Sequence, residues 1–135
     1  VYVHRYAVTD YSDSVTLHMP AMNAWGLSTI GSNVQRFEEA ISRTVNCIKL
    51  DDFLIELNIK KIDLIKIDTE GAELSILQGA KNIIERDHPI ILMEYNPVNM
   101  SQCKVRPEEV DAFLKSMGYI WEFVSTEDIL CRYNQ

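Results

Sequence analysis

The sequence predicts an α/β fold whose central strands are mostly parallel, and three observations support this class. Residues 62–67, IDLIKI, are apolar on both faces, which is typical of a strand in a parallel sheet that helices cover on both sides. Strand and helix patterns alternate after this segment, and the last pattern is a hairpin. The chain has 135 residues, of which 47% are hydrophobic, so we expect one globular domain at most.

The first part of the chain favours short strands and loops. Residues 1–8 are rich in Val and Tyr, and residues 15–19 alternate apolar and polar side chains, so both segments predict strands. Gly26 and Gly31 indicate that residues 20–31 form a loop. The predicted elements are a strand at 1–8, a turn at 10–14, a strand at 15–19, a loop at 20–31, a short helix or ordered loop at 33–42, a strand at 44–50 and a short helix at 51–57.

The second part predicts longer elements with clearer ends. After the strand at 62–67, an amphipathic helix is expected at 72–86, with Leu77 and Ile84 on its apolar side, and His88 and Pro89 end it. A second buried strand follows at 90–95. Pro107 at a first helical position and Gly118 beyond the end delimit another helix. The remaining predicted elements are strands at 119–124 and 129–133, which form a hairpin across 125–128.

Acidic residues follow both buried strands. Asp68 and Glu70 come directly after the first, and Glu94 ends the second. In open α/β sheets, ligands bind outside the carboxyl ends of the strands, so these positions suggest catalysis or cofactor contact. Asp68 and Glu70 would alternatively only favour the N-terminus of the next helix. Glu94 either faces a bound molecule or emerges into water, because a charge after an apolar run needs a partner.

Residues 66–80 also carry a family resemblance. Their pattern, K-I-D-x-E-G-x-E-x-x-x-L-x-G-A, resembles the signature of the FkbM-type methyltransferases, which use S-adenosylmethionine. Residues 7–10, 48–54 and 89–94 resemble flanking elements of that family, in the family's order. The resemblance implies a Rossmann-like class I methyltransferase sheet, of which this chain would hold the second half, mostly parallel with a C-terminal antiparallel hairpin.

The resemblance also implies an activity. We expect an O-methyltransferase that transfers the methyl group of S-adenosylmethionine to a hydroxyl of a sugar or secondary metabolite, so that the partner is a small-molecule or glycan acceptor. Asp68, Glu70 and Glu94 are the predicted catalytic residues, and Asp68 is the first choice for the general base or the group that orients the acceptor. Asp10 and Asp68 are the predicted cofactor-binding residues. Asp10 would accept a hydrogen bond from the adenine amine, or it is a turn-forming aspartate.

One part of the expected cofactor pocket has no counterpart in the sequence. None of the five glycines forms the G-x-G turn that follows the first strand of such folds. The chain also opens inside a strand-like run without Met. We therefore expect residues 1–135 to be a single partial methyltransferase domain, the C-terminal portion, in which the N-terminal cofactor-binding half is absent.

An alternative hypothesis is a truncated, non-catalytic α/β module that associates with a partner. Without the expected strands, residues 62–67 would have an open apolar edge. The chain would then self-associate, or residues 1–8 would pair with 62–67.

Composition and spacing disfavour other classes. The net charge of −7 argues against nucleic acid or an anionic membrane as partner. No run of about 18 apolar residues and no signal-peptide pattern are present, which favours a cytoplasmic protein. The cysteines are odd in number and, like the histidines, lack metal-ligand spacing, so we expect reduced thiols and no metal. The cysteines and histidines are Cys47, Cys103, Cys131, His4, His18 and His88.

Overall fold

The computed structural model of the protein describes residues 1–20, 27–31 and 40–134. These form seven strands and five helices. In chain order the elements are β1 (Ala7–Val8), β2 (Asp13–Pro20), β3 (Ala40–Ile48), α1 (Leu50–Glu56), β4 (Leu64–Ile67), α2 (Glu73–Gly79), α3 (Lys81–Asp87), β5 (Ile90–Glu94), α4 (Pro97–Gln102), α5 (Pro107–Ser116), β6 (Tyr119–Phe123) and β7 (Asp128–Tyr133).

The strands form two separate sheets. The first sheet has the order β1-β3-β2, and the second has the order β4-β5-β7-β6. Two pairings are parallel, β1 with β3 and β4 with β5. The other three pairings are antiparallel, β2 with β3, β5 with β7 and β6 with β7. The α/β class is confirmed, but the described strands form a mixed arrangement and not a mostly parallel one.

The hydrophobic core belongs to the second sheet and its helices. Ile91 and Met93 of β5 and Ile129 of β7 are fully buried, and Leu77 and Ile84 cover them from α2 and α3. Every buried member of this core cluster lies between residues 65 and 131, and β1 contributes one partly buried side chain, Val8. The position of β4 and β5 in this core fixes the place where the acidic residues of both strands emerge.

The first part of the chain differs most from expectation. The predicted strand at 1–8 is wrong over residues 1–6, because β3 pairs only with Ala7 and Val8, and the side chains before them are mostly exposed. The strand expected at 44–50 begins earlier, at Ala40, because it pairs along the whole length of β2. The loop expected at 20–31 includes a bridge between His18 and Thr29. Residues 21–26 of that loop and residues 33–39 of the predicted 33–42 segment lie outside the described residues.

The predicted helix at 72–86 is two helices, α2 and α3, which meet at Ala80. Both carboxylate oxygens of Asp51 accept hydrogen bonds at the start of α3, from the backbone N–H groups of Asn82 and Ile83, each at 3.0 Å. A carboxylate from α1 therefore replaces the carbonyls that a continuous helix would supply. Gly79, just before the break, packs so closely on the carbonyl of Thr9 that a Cβ atom there would overlap it.

The strand expected at 62–67 is shorter and less covered than predicted. β4 begins at Leu64, whose side chain is 60% exposed, while Ile65 and Ile67 are buried. In the described part of the chain, β4 pairs only with β5, so its other edge is open. The open edge was expected. The alternative pairing of residues 1–8 with this strand is wrong, because β1 pairs with β3.

The C-terminal elements follow the prediction closely. Pro107 begins α5, Gly118 follows it with φ +79°, and the hairpin forms from β6 and β7. The sequence reasoning missed α4, although its start carries recognisable signals. The side chain of Asn96 caps the helix by accepting from the backbone N–H of Val98 at 3.0 Å, and Pro97 occupies the first turn.

Candidate functional site

The turn between β4 and α2 holds the residues of the sequence signature in an uncommon backbone conformation. Glu70 has φ +56° and Gly71 has φ +113°, both in the region that most residues avoid. A Cβ atom at Gly71 would overlap the backbone carbonyl of Asn99 in α4. Glycine is therefore required here, because the turn both bends to the left and touches α4.

Two buried side chains fix this turn. The Oε1 atom of Glu73 accepts hydrogen bonds from the Thr69 hydroxyl and the Gly71 backbone N–H, each at 3.1 Å. The Thr29 hydroxyl donates to the backbone carbonyl of Glu70 at 3.1 Å. Glu73 and Thr29 are each 1% exposed. The sequence signature contains Glu73, but no role was predicted for it, since its bonds depend on how the turn bends.

A single amide joins two of the predicted catalytic carboxylates. The Nδ2 group of Asn99 donates to Glu70 Oε2 and to Glu94 Oε1, each at 2.9 Å. We call this arrangement the Asn99 bridge. Asn99 and Glu94 are each 8% exposed. Among the described residues, no hydrogen-bond partner reaches the buried Oε2 atom of Glu94.

The surroundings of Glu94 favour its protonated form. Burial, followed by the negative charges of Glu70, Glu73 and Asp68, raises the pKa of Glu94 to about 7, while the hydrogen bond from Asn99 opposes the rise. The two readings left open for this residue were contact with a bound molecule and emergence into water. Emergence into water is wrong, because the side chain is buried against the turn.

Asp68 lies in a different environment from Glu94. Its side chain is 60% exposed, and the Lys66 ammonium lies 3.6 Å from its Oδ2 atom. The same ammonium lies 3.3 Å from Asp128 Oδ1. Hydrogen bonds from Ser125 and then Lys66 lower the pKa of Asp128. Lys66 therefore lies between two carboxylates at the end of β4 and partly neutralises Asp68.

A cavity of about 930 Å³ lies between the first sheet and β4. Its lining is mainly apolar and includes Val8, Leu17, Ile65 and Ile76, with polar groups at Asp68 and Thr69. Glu70 and Glu94 are not among the lining residues. The structure thus brings Asp68, Glu70 and Glu94 together around one turn, but only Asp68 of the three faces the cavity.

Asp10 lies apart from these carboxylates. The Ser75 hydroxyl donates a hydrogen bond to Asp10 Oδ1 at 2.7 Å. The backbone N–H of Asp10 in turn donates to Ser75 Oγ at 3.1 Å. Asp10 does not line the cavity. These bonds tie the segment after β1 to the first turn of α2, and the predicted adenine contact of Asp10 stays a prediction.

The described ranges hold neither a cluster of metal ligands nor a membrane-spanning helix. No group of three or more His, Cys, Asp or Glu side chains in residues 1–20, 27–31 and 40–134 is arranged to hold a metal ion. No helix in the same ranges has the length and apolar character needed to cross a bilayer.

Comparison with known proteins gives one match. A family model described as the methyltransferase FkbM domain matches residues 2–121. No curated protein and no solved structure matches the chain. The match covers most of the chain and confirms the resemblance drawn from residues 66–80. That the chain is the C-terminal portion of the domain stays a prediction.

Proposed function

Because the chain belongs to the FkbM methyltransferase domain family, we propose that it serves in S-adenosylmethionine-dependent O-methylation of a hydroxyl on a sugar or secondary metabolite. The observation that carries this proposal is the placement of Asp68. Its carboxylate stands at the carboxyl end of β4, on a fixed turn, and lines a cavity of about 930 Å³. This is the place where open α/β sheets bind their ligands.

Asp68 is the group that we propose to meet the acceptor. It is exposed and lies beside Lys66, so an acceptor hydroxyl entering the cavity reaches it without rearrangement of the core. A carboxylate there orients the hydroxyl and accepts its proton as the oxygen gains the methyl group. Glu70 and Glu94 do not line the cavity. We propose that they hold the turn, and with it Asp68, in place and do not touch the acceptor.

The residues of this chain fit S-adenosylmethionine only in part. The volume of the cavity is within the range of cofactor sites, about 300–1,000 Å³, and Asp68 offers a carboxylate at its rim. Among the described residues, the lining contains no second carboxylate for a ribose, and Asp10, the predicted adenine contact, lies outside it. For this reason we assign no step of the reaction to cofactor contacts of the described residues.

The test is the substitution Asp68→Asn in the protein encoded by the whole reading frame that contains this chain. Transfer of labelled methyl groups to hydroxylated acceptors should fall by roughly 10²–10⁴-fold, the usual contribution of a general base. The thermal midpoint should change little, because Asp68 is exposed. Asp63→Asn, at an 80% exposed aspartate before β4, is the matched control and should keep wild-type turnover. Wild-type turnover in the Asp68→Asn variant would refute the assignment.

A second candidate function is a non-catalytic module that associates with a partner, here a second copy of the chain. The open edge of β4 and the exposed Leu64 favour it. Calorimetric titration of the 135-residue chain with S-adenosylmethionine tests whether the chain holds a complete cofactor site by itself. We expect no measurable binding by the isolated chain, because the described part of the cavity lining holds no carboxylate for a ribose. Saturable binding would show that the chain completes a cofactor site by itself and would favour the enzyme.

We also propose that the protein acts in the cytoplasm. Cys47 and Cys131 are buried and unbridged, and burial raises the pKa of the Cys131 thiol to about 12. Unreactive reduced thiols of this kind suit a reducing compartment.

A further inference from the structure

We propose that Asn99 is a positioning residue, which holds Glu70 and a protonated Glu94 together and thereby fixes the turn that presents Asp68 to the cavity. No catalytic or cofactor-binding motif assigned a role to Asn99, and α4, which supplies it, was not predicted from the sequence. The inference rests on the proposed function only for its catalytic consequence. The structural part of it concerns groups of this chain alone.

The geometry of the Asn99 bridge uses the whole donor capacity of the side-chain amide. A side-chain amide has two N–H hydrogens, and the two bonds of 2.9 Å, to Glu70 Oε2 and Glu94 Oε1, use both of them. The backbone carbonyl of Asn99 also packs on Gly71 closely enough to exclude a Cβ atom. Asn99 therefore touches the turn through its side chain and its backbone, and it is the link between α4 and the left-handed segment.

The charge around Glu94 is mainly negative. Negative groups face it from the turn, from α2 and from β7, where Asp128 is its register partner. Among the described ion pairs, the Lys66 ammonium lies near two of these carboxylates, Asp68 and Asp128. The charged groups around Glu94 are Asp68, Glu70, Glu73, Asp128 and Lys66.

One carboxyl oxygen of Glu94 lacks a hydrogen bond among the described residues. Glu94 Oε2 is buried, and no described group donates to it. An ionised carboxylate in that position would leave a charged oxygen without a donor, close to the Glu70 carboxylate on the same amide. A proton on the Glu94 carboxyl group reduces both costs, because a neutral acid needs less solvation and does not repel its neighbour. Protonated Glu94 therefore shares the Asn99 amide with Glu70 without mutual repulsion.

The consequence for the reaction follows from the position of the turn. When Glu94 loses its proton, it repels the Glu70 carboxylate, and this repulsion acts on the segment from Asp68 to Gly71, to which Glu70 belongs. Methyl transfer should then decline at alkaline pH through the geometry of Asp68, although Glu94 never contacts the acceptor.

The experiment is a carboxyl titration by NMR on the 135-residue chain with ¹³C-labelled glutamate side chains. The Glu94 signal is assigned by its loss in Glu94→Gln. In the wild type it should titrate near neutrality. Glu70→Gln keeps the oxygen that accepts from Asn99 but removes the charge, so Glu94 should titrate at lower pH. Asn99→Leu removes the donor without opening space for water, and it should raise the proton affinity of Glu94 roughly tenfold.

A second readout follows the turn. In Asn99→Leu, the backbone resonances of Asp68, Glu70 and Gly71 should move, whereas Asn82→Leu, at an exposed asparagine of α3, should move neither these resonances nor the Glu94 titration. A wild-type Glu94 that titrates like an ordinary carboxyl would overturn the proposal. An unchanged titration in both Glu70→Gln and Asn99→Leu would do the same.

These measurements need no cofactor and no acceptor, so they distinguish this proposal from the proposed function. If Asn99→Leu fails to fold, the wild-type titration and Glu70→Gln still decide between the two outcomes. A protein without methyltransferase activity but with the expected titrations would keep the bridge and refute the enzyme.

Discussion

The first sheet and the second sheet are built from similar side chains but are covered to very different extents. Ile41 in β3 of the first sheet is 42% exposed, whereas Ile91 in β5 of the second is fully buried. The difference lies in what packs on each sheet. Helices α2, α3 and α5 contribute buried side chains to the core over the second sheet, while the first sheet reaches that core through Val8. Strand propensity alone therefore does not decide burial; the covering layer does.

The functional residues follow the same division. Asp68, Glu70 and Glu94 all belong to the second sheet and its turns, where packing fixes their positions, and Asn99 and Glu73 support them from α4 and α2. The first sheet contributes one wall of the cavity, and the segment that bridges to β2 at His18 supplies the Thr29 hydroxyl that bonds the turn. We infer that the second region is the rigid frame of the site and that the first region closes it.

The strongest test of this comparison is a pair of core and surface truncations. Leu77→Ala, at a fully buried position of α2, should lower the free energy of unfolding by roughly 2–5 kcal/mol, because it leaves a cavity in the core. Ile41→Ala in β3 should cost less than about 0.5 kcal/mol. Chemical denaturation monitored by circular dichroism measures both. Equal losses for the two variants would show that the first sheet is packed as tightly as the second.

The second test uses pH, because the second region contains the buried acid. The pKa of folded Glu94 is raised to about 7 from an ordinary value of 4.5, so the folded state binds the proton more tightly than the unfolded state. The free energy of unfolding should therefore fall as the pH rises from 4.5 to 7, by roughly 3 kcal/mol from this residue alone. Below pH 4.5 the free energy of unfolding no longer changes with pH through this residue, because Glu94 is protonated in both the folded and the unfolded state.

Glu94→Gln should remove that dependence. Denaturant midpoints measured at pH 4 and pH 8 should show the variant close to wild type at the lower pH and more stable than wild type at the higher pH. Glu85→Gln, on the exposed surface of α3, should keep the wild-type profile. A Glu94→Gln variant that loses stability with pH as steeply as wild type would place the raised pKa elsewhere.

The comparison also explains how much of the fold the sequence could predict. In the second region, apolar periodicity, Pro107 and Gly118 marked α5 and the closing hairpin correctly, because local signals and packing agree there. In the first region, residues 1–6 have strand propensity but no pairing partner among the described strands. Without backbone hydrogen bonds to a neighbouring strand, they do not form a strand. The break at Ala80 depends on Asp51, which is distant in sequence, and no local pattern announces it.

The site shows the same limit. The carboxyl-end rule placed Asp68, Glu70 and Glu94 near one another correctly, because β4 and β5 are parallel neighbours. It could not tell which carboxylate faces the cavity, since that depends on the left-handed bend at Glu70 and Gly71. Asn99 was missed for a related reason. Its helix is short, and its only local signals are the cap and the proline before it.

The third test concerns the junction between the two regions. Gly79 in α2 lies against the backbone carbonyl of Thr9, directly after β1. In an ordinary helix Gly→Ala stabilises, by up to about 1 kcal/mol. Here the added Cβ has no space, so Gly79→Ala should destabilise by roughly 1–3 kcal/mol. Hydrogen exchange at Thr9 should speed up with it. Gln78→Ala, at the exposed neighbouring position, should change neither quantity, and a stabilised Gly79→Ala would mean that the contact is loose.

A substitution at the open edge of β4 should have the smallest effect on stability. It should have the largest effect on self-association. Both outer strands of the second sheet carry an exposed apolar residue, Leu64 at 60% in β4 and Ile120 at 57% in β6. Only β4 borders the apolar cavity between the sheets. We therefore expect self-association to proceed through β4, because an open apolar edge next to an uncovered surface is a template for another strand.

Leu64→Lys should keep the free energy of unfolding within about 0.5 kcal/mol of wild type, since the side chain is already exposed. It should nevertheless reduce the concentration-dependent increase in mass that light scattering detects for the wild type, because a lysine on an edge opposes strand pairing. Ile120→Lys should leave association unchanged. If the two substitutions act alike, the association does not select the β4 edge. If the wild type stays monomeric at high concentration, with rapid hydrogen exchange at Leu64–Ile67, the cavity between the two regions does not recruit a second copy.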